Sequence, residues 1–195
     1  MTSVQKPESL ALDPSRRVPM ITVGMVVWLA SETMFFAALF AMYFTLRSAD
    51  RPWPPHGVHL DTGLAALFTL VLIASSGTMH LAVHHLRRGD VAAMRRWMIL
   101  TLILGALFLA NQIREYVTVN FSISSHAYGS AFWVTTGFHS LHVLAGLVLM
   151  LVLLGQAASA SFGVDNLPAV ENVGYYWHFV DIVWVALFST IFLLK

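Results

Sequence analysis

The sequence predicts an all-α membrane protein, a bundle of five transmembrane helices with the N-terminus cytoplasmic and the C-terminus outside. Three observations carry that prediction. Of 195 residues, 57% are hydrophobic and 11% charged, where a soluble domain carries about 25% charged residues. Five apolar stretches, at about 18–46, 60–86, 95–119, 130–155 and 173–194, are each long enough to cross the hydrocarbon layer as a helix. No strand-like alternation competes with them, so helices are the way to satisfy the backbone in lipid. The basic residues then divide unevenly: Lys6, Arg16, Arg17, Arg87, Arg88, Arg95 and Arg96 fall on one side, against Arg47, Arg51 and Lys195 on the other. The positive-inside rule places the first group in the cytoplasm.

Composition also excludes. A formal net charge of +1 gives a nucleic-acid partner no electrostatic support. The absence of cysteine removes disulfides, Fe–S clusters, thiolate zinc sites and Cys-ligated copper. Residues 1–17 are polar, with Pro7, Asp13 and Pro14, and lack the order of a signal peptide. They read as a disordered or extended cytoplasmic arm, ahead of a single membrane domain over 18–195.

The first helix contains WLASETMFFAALFAMYF, Trp28 to Phe44, with Glu32 near the middle of its apolar run. A carboxyl at that depth costs about 2.5–3.5 kcal/mol on insertion scales unless it is protonated, paired or facing protein. Two readings stand: a hydrogen-bonded acid that locks helices together, or a site for protons or lipid. The connection RSADRPWPPHGVH is stiffened by Pro54 and Pro55 and puts Trp53 at headgroup level. The second helix carries Ser75, Ser76 and Gly77, small enough for close packing, and His80 near its inner end. RRGDVAAMRR follows, with four arginines in ten residues.

The third helix ends in NQIREYV, where Arg114 and Glu115 lie near the outer interface. Gly137, His139, His142 and Gly146 sit on the fourth helix. The fifth opens on Tyr175, Tyr176 and Trp177, most simply an aromatic belt, and continues through His178 and Asp181 on one face. At 1.5 Å per residue, Glu32, His80, His178 and Asp181 fall in the inner half of the bilayer. They are expected to form one buried polar cluster, with Glu32 meeting His80 and His178. Haem would need histidines on two facing helices at matched depth, and a di-metal site would need Glu-x-x-His motifs. The chain offers no such motif, so interhelical hydrogen bonding is the simpler role.

Residues alone stop at that bundle. WLASETMFFAALFAMYF resembles the acid-bearing helix of subunit III of cytochrome c oxidase. FSISSHAYGSAFWVTTGFHSLHVLAGL, with Gly129, Gly137, His139 and His142, is similar to that family's most recognisable segment. VGYYWHFVDIVWVALFSTIF, with Trp177 and Trp184, resembles its final helix, and RPWPPHGV its WPP-G loop. The resemblance implies a subunit with no redox centre of its own, docked on subunits I and II that hold haem and copper. It further implies bound phospholipid, a bacterial plasma membrane, and a place compatible with a respiratory supercomplex. Glu32, four residues after Trp28, matches the family's buried, carbodiimide-reactive carboxyl, and His178 and Asp181 match its WHFVD pair. In the family this subunit protects the catalytic core from turnover inactivation and supports proton uptake. The chain departs by starting at what looks like the third of seven helices, so the family's lipid-filled cleft is not assumed for it. A quinol oxidase or nitric oxide reductase subunit remains the alternative. A free-standing transporter is disfavoured by the lack of an inverted repeat.

Overall fold

The computed structural model describes residues 20–194. The arm expected over 1–17 and Lys195 lie outside the described residues. Within them every regular element is helical: α1 Met20–Ala49, α2 Thr62–Arg87, α3 Val91–Thr118, α4 Ala127–Gln156 and α5 Leu167–Phe188. All five are long and apolar enough to cross a membrane.

Caps set the boundaries. Asp61 accepts from the Leu64 amide at 3.0 Å, and Asp90 from the Ala93 amide at 2.8 Å. Each satisfies an N-terminal donor that has no partner within the helix. The Asp90 cap starts α3 at Val91, earlier than the apolar pattern suggested. His126 caps α4 through Nδ1, accepting from the Gly129 amide at 2.8 Å. A side chain at Gly129 would stand 2.6 Å from the Ser122 carbonyl, so only glycine lets the 120–126 loop fold back over the helix start. α5 begins at Leu167, with Pro168 in its first turn and a 3-10 turn over Val164–Asn166 ahead of it. That is six residues before the expected start, which puts every polar group on α5 further from the helix start than its sequence position implied.

The far end of α5 widens into a π turn, Ser189–Leu193. There the Leu194 amide bonds the Ser189 carbonyl at 3.0 Å, which releases the Thr190 carbonyl. Tyr43 of α1 donates its hydroxyl to that carbonyl at 3.2 Å, and Trp53 Nε1 donates to the Tyr43 oxygen at 3.0 Å. Trp53 is thus turned against Tyr43 and Tyr128.

α2, α3, α4 and α5 form a ring in which each packs on its neighbours, and α1 lies outside it against α4 and α5. Burial follows that plan. Only 11% of the most apolar window of α1 is buried, against 56% for the span that contains α5. Trp177 fills the middle of the ring. Its indole N–H donates to Ser75 of α2 at 2.9 Å. A Cβ at Gly105 of α3 would lie 2.6 Å from its ring, and one at Gly146 of α4 would lie 2.8 Å away. Two glycines and a serine on three helices make room for one indole.

Candidate functional site

The two carboxylates predicted to share a cluster occupy separate sites. Glu32 projects from α1 toward α4, where its Oε2 lies 3.1 Å from His142 Nε2. The other ring nitrogen of His142, Nδ1, is 2.7 Å from the Phe138 carbonyl. A carbonyl only accepts, so Nδ1 must carry a proton. Nε2 then either accepts from a protonated Glu32 or, as imidazolium, donates to its carboxylate. Both forms leave the pair with one shared proton and no net charge, which removes most of the cost of an acid at membrane depth. Phe35 and Phe36 flank the imidazole. Trp28, one turn earlier, stacks on Tyr176 at 5.2 Å, and the Tyr176 hydroxyl donates to the His142 carbonyl at 3.0 Å. The pair is still partly open, with side chains 21% and 16% exposed.

Asp181 is deeper. It lies fourteen residues past Leu167, about 21 Å along α5, near the middle of the span. Ser76 of α2 donates to Asp181 Oδ2 in a short contact, and the same hydroxyl oxygen lies 2.9 Å from His178 Nδ1. One serine therefore joins the histidine to the acid. Asp181 is 5% exposed and its Oδ1 has no hydrogen-bond partner. His80, one turn along α2 from Ser76, lines a cavity with His178 but makes no contact with Glu32. The expected grouping of Glu32 with His80 and His178 fails because α1 packs on α4 and α5 and does not reach α2 to any extent. His142, which the sequence assigned only to helix contacts, is the partner of Glu32.

The aromatic belt is also corrected. Tyr175 is exposed, but Tyr176 and Trp177 are buried, because the early start of α5 carries them two turns below the helix end. Trp184, two turns beyond Trp177, donates to Thr69 of α2 at 2.9 Å and stacks on His139 at 4.9 Å. His139 is fully buried, with Phe108 of α3 on its edge, and neither ring nitrogen has a partner. Gly137 has open space where its Cβ would be. Glu115, expected near the outer interface, is buried to 7% exposure. Among the described residues no three His, Asp or Glu side chains converge as a metal site. Sequence reasoning missed Gly105, Thr69 and the linking role of Ser76; a serine one turn from a histidine on an apolar helix was the available signal.

Trp177 and Trp184 thus fill the ring, Glu32 meets His142 across two helices, and Ser76 of α2 joins His178 to Asp181 on α5. The family model described as cytochrome c oxidase subunit III matches residues 17–195. The chain belongs to that family. It is 48% identical over 183 residues to "Probable cytochrome c oxidase subunit 3" of Nocardia farcinica, covering 92% of this chain and 90% of that one. "Cytochrome c oxidase subunit 3" of Corynebacterium diphtheriae is 44% identical over 185 residues, with 92% and 90% covered. The protein of that name from Thermostichus vulcanus is 35% identical over 188 residues, with 95% and 94% covered. The chain thus spans 90–94% of the length of each of these relatives. As a member of the family, with five apolar helices, the chain is a multi-pass membrane protein.

Proposed function

We propose that this chain is the non-catalytic subunit III of a respiratory cytochrome c oxidase in a bacterial plasma membrane. It docks on subunits I and II, which hold the haem and copper for O2 reduction and proton pumping. It stabilises subunit I, holds phospholipid and supports proton uptake, and it can take its place in a larger respiratory assembly. The observation that carries this is the near full-length match to proteins named cytochrome c oxidase subunit 3, at 35–48% identity. With the arginine-rich ends of α2 and α3 in the cytoplasm, Glu32 and Asp181 lie midway across the bilayer.

The test is purification of the tagged chain in mild detergent, read by optical spectrum and by the identity of co-purifying chains. Haem and copper arriving with large subunits I and II is the expected result. A colourless, solitary chain under conditions that preserve other membrane complexes overturns the proposal. A subunit II lacking copper ligands would move the donor from cytochrome c to quinol.

A further inference from the structure

We propose that the groove between α2 and α5 is a proton file connecting the arginine-rich end of the bundle to Asp181. It needs only the geometry of this chain and is independent of the oxidase assignment. Two cavities along the groove meet at one residue. The first, of about 170 Å³, starts at the ion pair of Arg87 with Glu171, 2.8 Å apart, and is lined by His84, His80 and His178. The second, of about 440 Å³, has Ile73, Ile182 and Val185 as walls and His178, Ser76 and Asp181 as its polar part. From Glu171 to Asp181 is ten residues of α5, about 15 Å.

The order of groups along this path is what a proton relay requires. His80 is exposed although it sits seven residues, about 10 Å, inside the end of α2. Ionisable side chains at such depth face cavities, partners or transport paths rather than lipid tails. A structural lock for Asp181 needs Ser76 and His178 but neither His80 nor His84. The Ser76 hydroxyl has one proton and two lone pairs. While it donates to Asp181 Oδ2, it can only accept from His178, which fixes that proton on Nδ1. A proton arriving from the cavity at His178 Nε2 can then be matched by one leaving Nδ1 for Ser76 Oγ, as the Ser76 proton passes to Asp181 Oδ2. The product is a neutral histidine protonated on Nε2, an intact serine and a protonated acid. Protons balance and nothing is oxidised.

The charged and titratable groups around the path are Arg87, His84, His80 and Ser76 from α2, with Glu171, Tyr175, His178 and Asp181 from α5. From the other helices against α5, His139 stacks on Trp184, and Glu32 and His142 hold each other. None of these three bonds Asp181.

The experiment is infrared spectroscopy of the chain in its native complex, stepped to acid pH in H2O and in D2O. A carboxylic C=O band absent from Asp181→Asn reports Asp181. In D2O it is expected to shift as fast as the medium is exchanged, and His80→Leu is expected to slow that shift at least tenfold. His80 is exposed, so this variant keeps the fold, and Ser76→Ala, which cuts the relay, is expected to slow the shift further. A spectrum of Asp181→Asn matching wild type at every pH overturns the proposal. So does an exchange rate unchanged in His80→Leu, the result a purely structural His–Ser–Asp lock would give.

Discussion

Glu32 and Asp181 pose the same problem, a carboxyl in the middle of a membrane helix, and the fold answers it in two ways. Glu32 sits on α1, the flanking helix, and is answered by one histidine that cancels its charge while the pair stays partly open. Asp181 sits on α5, the ring helix on which α1, α2 and α4 all pack and in that sense the axis of the bundle, and is reached through a serine, with its second oxygen left without a partner. The difference follows from packing. α5 touches α1, α2 and α4, whereas α1 touches only α4 and α5 to any extent. A carboxyl on a flank can be neutralised from one side, while one on the axis must be fitted among three helices.

If α5 is the axis and α1 the flank, their tryptophans should differ most. Trp177→Ala empties a space that Gly105 and Gly146 exist to provide, and takes from the Ser75 oxygen the indole N–H it accepts, while its own proton stays on the Leu72 carbonyl. The expected loss is about 3–5 kcal/mol, the range for deleting a large aromatic from a packed core. Trp28→Ala removes one stacked contact with Tyr176 from a half-open face. The expected loss is about 0.5–1.5 kcal/mol, the range for an aromatic pair. Thermal or denaturant unfolding of the purified complex, followed by this subunit's release, measures both. Equal losses would break the axis-and-flank distinction.

The acids should show the same order with smaller values. Asp181→Ala takes the carboxylate acceptor from Ser76, which keeps only His178 beside an apolar gap, and is expected to cost about 1–3 kcal/mol, the range for a lost buried hydrogen bond. Glu32→Ala unpairs only His142 Nε2, in a site that is partly open, and should cost less by the same assay. A larger loss for Glu32 would mean that its site is closed by another chain in the assembly.

That ranking was not legible in the sequence, although much else was. The five spans were, because apolar length alone decides them. Glu32, His178 and Asp181 stood out as ionisable groups in apolar runs. Partner choice did not, since in lipid a helix shows no polar and apolar face to tell α1 from α5. The pairing of Glu32 with His142 depends on α1 docking against α4, which no local pattern announces. Depth failed at α5 for a different reason. The start at Leu167 lies in a moderately polar stretch that hydropathy assigns to the loop, so Trp177 was placed at the interface and Asp181 too shallow. Gly105 carried no signal, because a glycine in an apolar helix looks the same whether it faces an indole or lipid.

The smallest expected effect tests the one-proton account of the flank. Because His142 Nδ1 is committed to the Phe138 carbonyl, a glutamine at position 32 can donate its amide N–H to an unprotonated Nε2 and keep the hydrogen bond. Glu32→Gln should therefore assemble normally and change turnover only modestly, whereas Glu32→Leu should lose the bond outright. Interhelical hydrogen bonds in membrane proteins average about 0.6 kcal/mol in double-mutant cycles. A cycle of Glu32→Leu with His142→Leu should return a coupling of that size. Glu32→Gln alone should lie within about 0.5 kcal/mol of wild type, the spread of a neutral replacement. A coupling several times larger, with Glu32→Gln as damaging as Glu32→Leu, would mean the pair is held as a true ion pair in a dry site. Glu32 would then belong with Asp181, and the contrast between flank and axis would have to be drawn from packing alone.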